Sequence, residues 1–561
     1  MNILNLVVDT RFMRAEAVLN QFRRIDNESR NLLCNPDFDS ENMPFLFLVL
    51  QHRGGDPNPK TCELIQEVVK KTDAAIFERD FVCDRLIELK ALVRKRGMKT
   101  NLWNISCMLC HHHEAFQFLR DNTPAHQLTA KHEGLGWYPL QFAVSSTACV
   151  DVVRDLIETF SANITDRRGL SLFHVAAATN PHLEVVQFVG EEVGGNESEV
   201  SDVGKLPLHY SAECNPSLEV VEFVHSLFPE GIQKTDNNGR TPLHLACKSN
   251  NSVDIIRFLH RTFPGAITLQ DEDGMYPLHF ASFNPNFEIF QLIFDINPDL
   301  IRERSPSEGL PIHIAACYNP NPQIVEFLYE RFTEGFVEET PGEGSLLMYA
   351  AENNDSLPVV ESIFNMDPQA IKKRDALDQF PLHGSAANNL SPEVFQFLYD
   401  NFNAAIMEQD NTGKLPLHLA AFNNPSVEVV ELVYSLYPDA ITMSEAEDGN
   451  RPIHMAAGWS SNPDVLTVLH EKHPESIKDR NRHVMTPLHV AAMYNGSTRI
   501  IRRVYELYPE GIGEVTDHRA DPEKIAEDHN PNPQVVELFR QLFDESGGVD
   551  DSYEKICCPV S

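Results

Sequence analysis

Nowhere in the 561 residues does an apolar run approach the ~20 residues that a membrane-spanning helix needs. The opening stretch, Met1 to Asp9, has too short an apolar core for a secretory signal and no basic leader. There are 11 cysteines, an odd number, scattered from Cys34 to Cys558 without the spacing of a small disulfide framework. Together these absences point to a reducing intracellular compartment with free thiols, and the cytoplasm is the expected location. Basic residues are scarce as well: Lys plus Arg number 46 against 82 Asp plus Glu, a net charge of −36. So acidic a surface repels phosphate backbones and anionic lipid headgroups, which argues against nucleic acid as a partner. It suits a basic protein partner, or it serves solubility alone. Also missing are a Gly-x-x-x-x-Gly-Lys phosphate loop, a dinucleotide fingerprint, a Gly-x-Ser-x-Gly elbow and a kinase motif set. No catalytic residue, metal site or cofactor is assigned, and an enzyme is not expected.

What the chain does have is a period. The length exceeds what one compact core organises, so internal repeats are sought first. Pro-Leu-His or a close relative recurs with its histidine at His174, His209, His244, His279, His313, His383, His418, His454 and His489. Met348 fills the gap between His313 and His383, while Gln141 and Lys524 extend the column outward. From His174 onward successive positions lie 35 residues apart, with one interval of 34 and one of 36. Twelve units are clear and fourteen are counted with the degenerate ones.

Each unit reads as two helices. In the unit around His244, Asp236-Asn237-Asn238-Gly239 is a turn signal, Thr241 can cap a helix, and Pro242 suits its first turn. Leu243, Ala246 and Cys247 then recur at helical spacing. Eight residues past the histidine a second start signal forms a column: Ser217, Ser252, Asn321, Ser356, Ser391, Ser426, Asn462, Ser497 and Asn532, with Asn286 in the shorter unit. Val427 to Leu436 shows the second helix, with apolar residues on one face and glutamates on the other. Proline ends that helix at Pro229, Pro264, Pro298, Pro368, Pro438, Pro474 and Pro509, and a pair such as Ala266-Ile267 leads onward.

The string from Asp236 to Ala246, with Gly239 and Thr241-Pro242-Leu243-His244, resembles the ankyrin repeat signature, and the resemblance covers roughly residues 43 to 543. It implies an all-α, ankyrin-type helix-turn-helix solenoid of about 12–14 units, elongated and curved, monomeric, and gripping a partner protein on its concave face. The expected organisation is an N-terminal helical cap over 1–42, degenerate ankyrin-like repeats over 43–130, regular repeats over 131–545 and a flexible tail over 546–561. This chain departs from the family in its 35-residue period and in keeping the motif threonine only at Thr241 and Thr486. Leu206, Tyr276, Leu310, Phe380, Leu415 and Arg451 stand there instead, which leaves those first helices without a side-chain cap at a cost of about 1 kcal/mol each.

Designed members of the family bind through the two residues after the Ala-Ala of the first helix and through the hairpin tips. Column by column this implies Lys248 and Ser249, Phe283 and Asn284, Cys317 and Tyr318, Phe422 and Asn423, Gly458 and Trp459, and Met493 and Tyr494. The tips add Asn237, Asn238, Arg240, Glu272, Asp273, Asn411, Thr412 and Lys414. Five units thus place an aromatic on one helical edge: Phe283, Tyr318, Phe422, Trp459 and Tyr494. Two readings stand open: interface anchors along a groove, or rings packed against the adjacent unit. The histidine column is read as structural, because one role repeated at one architectural spot fixes a turn. Cys107-Met108-Leu109-Cys110-His111, followed by His112 and His113, matches the c-type haem string and could ligate zinc, against ordinary repeat packing.

Cys558-Pro559-Val560-Ser561 fits a prenylation box, with Cys557 available for palmitate. On that alternative the protein is a membrane-tethered adaptor, peripheral rather than spanning. If Cys558 carries a prenyl group in cells, Cys558→Ser will move the protein from the membrane to the soluble fraction. Identical fractionation of the two forms removes the anchor reading.

Overall fold

The computed structural model describes residues 80–82, 99–109, 113–123, 125–132, 136–160, 164–192, 198–337 and 344–545. The expected cap over 1–42 and the tail over 546–561, with Cys557 and Cys558, lie outside the described residues. The chain divides into two compact units, residues 1–300 and 301–561. Each is a stack of helix pairs. In the first unit, Leu172–Thr179 packs on Pro207–Cys214, which packs on Pro242–Ser249. In the second, Leu346–Asn353, Pro381–Asn388, Pro416–Asn423, Pro452–Trp459 and Pro487–Tyr494 succeed one another in the same way. One short antiparallel ribbon, Asp80–Val82 with Lys99–Asn101, is the exception to helix in the first unit among the described residues.

The first helix of a repeat is only eight residues long and is buried on nearly every side. In Pro416–Asn423, Pro416 to Ala421 are all buried, and Ala420 and Ala421 present so little bulk that the neighbouring first helices come close. The second helix is amphipathic: Val427–Leu436 buries Val429, Val430 and Val433 and leaves Glu428 and Glu431 exposed. Each buried valine stabilises the stack by on the order of 2 kcal/mol. The cap column acts as expected at most units. Ser217, Ser391 and Ser426 accept from the N–H three residues on, and Asn286, Asn321, Asn462 and Asn532 from the N–H two residues on. Ser252, Ser356 and Ser497 make no such bond.

Three features depart from the two-helix reading. After the second helix the proline does not simply stop the chain. It opens a single 3-10 turn, as in Pro264–Thr268 and Pro438–Thr442, that buries the Ala-Ile pair. One unit lacking proline makes the same turn over Asn403–Met407, while another takes an α-helical turn over Thr333–Val337.

As expected, the first helices carry no side-chain cap at Leu206, Tyr276, Leu310, Phe380, Leu415 and Arg451; what the histidine adds is a bond to the N–H of the cap residue itself. In repeat after repeat its Nδ1 accepts from the backbone N–H three residues back: Leu206 at 3.1 Å, Thr241 at 3.2 Å, Leu310 at 3.2 Å, Phe380 at 3.3 Å and Leu415 at 3.3 Å. The Thr241 and Thr486 hydroxyls bond that same Nδ1 at 2.8 Å instead of capping the helix, so threonine holds no advantage in cap bonds over leucine there.

The third departure is a column of asparagines six residues past the histidine position, five in the shorter unit. Asn424 is 0% exposed; its Nδ2 donates to the carbonyls of Ala386 at 3.0 Å and Asn389 at 2.7 Å in the preceding repeat. Its Oδ1 accepts from Ser426 N–H at 2.9 Å in its own repeat. Asn180, Asn215, Asn250 and Asn284 repeat this pattern in the first unit, and Asn354, Asn389, Asn495 and Asn530 repeat it in the second. Ser460 takes the corner in the longer unit and still receives the Asn495 amide through its carbonyl.

Replacing Asn424 by alanine removes three buried hydrogen bonds and leaves their partners dry. We expect a loss of about 3 kcal/mol, concentrated at the repeats on either side. Hydrogen exchange should show amides near Asn389 and Ser426 opening first. Wild-type protection there in Asn424→Ala would mean that the asparagine does not couple the repeats.

Candidate functional site

The histidine column, the feature most suggestive of chemistry, has the geometry of a structural brace. While Nδ1 holds the helix start, Nε2 donates to a carbonyl 25 residues on: Lys234 for His209 at 3.1 Å, Leu269 for His244 at 3.1 Å, Glu408 for His383 at 3.0 Å, Met443 for His418 at 2.9 Å and Glu514 for His489 at 3.0 Å. An acceptor Nδ1 and a donor Nε2 define one neutral tautomer. Where histidine is missing, other groups take over part of the task. Gln141 Oε1 accepts from Tyr138 N–H at 2.9 Å, while Ser345 and Asp521 cap their helices directly through Met348 N–H and Lys524 N–H.

The haem-like string divides. Cys107 is buried in the helix Leu102–Leu109, whereas Cys110, His111 and His112 lie outside the described residues. His113 Nε2 is 2.9 Å from Asp155 Oδ2, and Gln117 bonds both side chains. Among the described residues no group of three or more His, Cys, Asp or Glu side chains is arranged to hold a metal ion.

The first-helix edge is where the stacked repeats leave side chains open. In the second unit Phe422, Trp459 and Tyr494 form a ladder across three successive repeats. Phe422 and Trp459 have ring centroids 5.3 Å apart and inclined at 32°; Trp459 and Tyr494 stack at 4.8 Å and 24°. Gly458 makes this possible, since a Cβ there would sit 2.9 Å from Val490 Cγ1 and push the two helices apart. The rings are also open to solvent: Phe422 and Trp459 are half-buried and Tyr494 is 48% exposed. The two readings of the aromatic edge are therefore not exclusive, because these rings pack on one another and present a common open side.

The edge continues past the ladder. Asn423 bonds Asn388, and Asn388 Nδ2 donates to Glu352 Oε1 at 2.6 Å. Tyr318, 48% exposed, lies on the same edge within this unit. In the first unit Lys248 Nζ rests 4.4 Å from the Phe283 ring centre. Met493 is half-buried and Ser249 exposed. Asn284, Cys317 and Gly458 do not belong to the open edge. Asn284 is consumed by the inter-repeat bonds, Cys317 packs in the core, and Gly458 faces the next helix.

The tips are joined to one another. Glu272 N–H bonds the Asn238 carbonyl at 2.9 Å, Asn237 N–H the Val203 carbonyl at 3.1 Å, and Asn411 N–H the Leu377 carbonyl at 3.0 Å. Gly239, at φ +77°, could not carry a side chain without meeting the next tip's backbone at 2.9 Å. Asn237, Asn238, Glu272, Asp273 and Asn411 remain exposed. Arg240 instead pairs with the buried turn carboxylate of Asp236 at 2.9 Å; Lys414 bonds Thr412, and Thr412 bonds Asp410.

Tandem helix pairs joined by bonded tips, with a repeating histidine brace, define a helical repeat protein. The particular repeat is the ankyrin repeat: the family model for ankyrin repeats matches residues 173–266, 208–303 and 347–443, so the chain carries ankyrin repeats. No curated protein matches the chain. Ankyrin repeats are in general modules for protein–protein interaction. No helix among the described residues is long and apolar enough to cross a membrane.

Burial makes the histidine column an acid-sensitive element. It pushes His209, His244, His418 and His454 down from the ordinary 6.5 to about 4, and lowers His174, His383 and His489. The unfolded chain binds these protons first, so the stabilisation is complete above pH 6.5 and is lost as pH falls toward 4. For a histidine moved from 6.5 to about 4 this is on the order of 3 kcal/mol. Acidification also relaxes the repulsion of a −36 chain, which works in the opposite sense. The difference between variants isolates the histidine part. His418→Gln, patterned on Gln141, should show a smaller fall in melting temperature between pH 7 and 4.5 than wild type. Parallel pH profiles would contradict the brace as the titrating element.

Proposed function

We propose that the protein is a protein-binding scaffold or adaptor that seats its partner along the first-helix edge and the hairpin tips, the side that ankyrin arrays turn inward. The observation that carries this reading is the ladder of Phe422, Trp459 and Tyr494. Three large rings are lined up across three repeats, held by their neighbours, and left open on one side. Pre-stacked rings lose little rotamer freedom when a partner covers them, which is what an interface anchor needs. The net charge of −36 favours a basic partner and speeds its encounter. On this reading Lys248 and Phe283 form a smaller patch of the same kind in the first unit, with the exposed tips at Asn237, Asn238, Glu272 and Asp273 as its polar rim, and Asn411 adds a tip contact in the second.

The double substitution Phe422→Ala with Trp459→Ala tests the proposal. Affinity for a partner captured from native lysate by the intact chain should fall by about 2 kcal/mol or more, roughly thirtyfold. The melting temperature should move little, because the rings are only half-buried. A large melting loss combined with unaltered affinity of the surviving folded fraction would assign the ladder to packing alone.

A further inference from the structure

One place on this edge is built differently from the rest. In the second unit His313 is 1% exposed, and its Nδ1 accepts from Leu310 N–H at 3.2 Å, so the ring proton sits on Nε2. His383, His418, His454 and His489 donate that proton to a carbonyl 25 residues on. Among the described residues His313 Nε2 has no hydrogen-bond partner: the Gly335 backbone lies near the ring without completing a bond, and residue 338, the counterpart by count, lies outside the described residues. In the next repeat Met348 replaces the histidine. Between the two lies a cavity of about 350 Å³, lined by His313 together with Glu308, Tyr318, Tyr349, Glu352 and Asp375. Its lining among the described residues holds three carboxylates and no lysine or arginine. Asp375 already accepts from the N–H groups of Leu377 and Gln379, and the Glu308 carboxylate lies beside the Tyr318 hydroxyl. Glu352 has the Asn388 amide at 2.6 Å and no ion pair among the described residues, and burial raises its carboxyl above the usual range.

A donor without an acceptor, carboxylates without a cation and two tyrosines together describe the complement of an arginine residue. Its guanidinium matches carboxylates with several donors and stacks on aromatic faces, and its backbone carbonyl is an acceptor. A lysine ammonium provides the charge without the planar stack. We propose that this cavity receives an arginine side chain of the bound protein, with a carbonyl of the same segment accepting from His313 Nε2.

The inference rests on the reading of this edge as the binding face, and it extends that reading to the partner's chemistry. The cavity and the aromatic ladder are two ends of one strip, joined through Glu352, Asn388 and Asn423. Three repeats separate Met348 from His454, about 30 Å at roughly 10 Å per stacked helix, which is about nine residues of extended chain. The segment that fits has an arginine about nine positions from an apolar or aromatic residue.

The probe is N-acetyl-arginine N-methylamide, titrated into the full chain carrying fluorotyrosine and monitored by fluorine NMR. Tyr318→Phe and Tyr349→Phe assign the two cavity resonances. Both should shift saturably in the millimolar range. The citrulline analogue, a neutral isostere, should leave them in place, and the lysine analogue should bind more weakly. Glu352→Gln retains the bond to Asn388 and should weaken the arginine probe at least tenfold; Glu308→Gln is the second variant if the first melts early. No saturable shift, equal binding of citrulline, or unchanged affinity in both variants would overturn the proposal. Equal binding of the lysine analogue would overturn the choice of guanidinium. Trp459→Ala should bind the probe as wild type does. If that variant also keeps its full affinity for the partner protein, the ladder reading falls while the cavity stands.

Discussion

The corner asparagine is the interaction on which the stack depends. A first helix of eight residues ends with several carbonyls unpaired, and here that end is covered by the next repeat and cut off from water. The amide of Asn424 reaches back to two of those carbonyls while its oxygen starts the second helix of its own repeat. One side chain thus satisfies the end of one helix, the start of another and the distance between two repeats. Hydrophobic burial alone would leave the repeats free to slide, since alanine and valine faces are tolerant of register. Three hydrogen bonds with fixed geometry are not.

The histidine performs the matching task at the other end of the helix. Its ring bonds the helix start through Nδ1 and the chain leading to the next turn through Nε2. First helices of this kind are therefore held at both ends by buried side chains, and the sequence between and beside them is released from that duty. This is why the motif threonine can become Leu, Phe or Arg, and why the residues four and five past the histidine range from Lys248 to Trp459 without disturbing the pattern. A surface that the fold does not constrain is one that recognition can use. Where the column changes from histidine to Met348, the stack leaves a cavity beside His313.

The period, the two-helix unit and the buried face of each helix were legible in the sequence because they rest on spacing, which a linear chain displays. The asparagine column was equally visible, at a constant six residues past nearly every histidine. Its role was not, because asparagine beside a serine cap reads as a local turn, and its partners lie 35 and 38 residues away. The 3-10 turn after most second helices escaped for a related reason: proline announces the end of a helix but not the conformation of the segment after it. Along the first-helix edge, the column gave the positions but not the exposures. Cys317 and Tyr318 are adjacent in sequence, yet one is in the core and the other 48% exposed, since a helix turns by about 100° per residue. Likewise, nothing local marks Arg240 as the partner of its own turn aspartate rather than of another protein.

Stacking the rings of Phe422, Trp459 and Tyr494 has a consequence for recognition that separate aromatics would lack. Each ring is fixed by the next, so the strip has a set width and direction before anything binds. A flexible side chain must be ordered by its partner, at about 0.5–1.5 kcal/mol for each one immobilised, whereas the ladder is ordered already by the repeats beneath it. The same close approach at Gly458 that stabilises the stack therefore also prepares the surface. Selection for tighter repeat packing and selection for a preorganised binding strip act here on the same atoms. A substitution such as Gly458→Ala would separate the helices and disturb the ladder together, so stability and recognition are coupled at this point of the edge. At Tyr318 the neighbouring group is instead the Glu308 carboxylate, so there the coupling runs to the cavity rather than along the ladder.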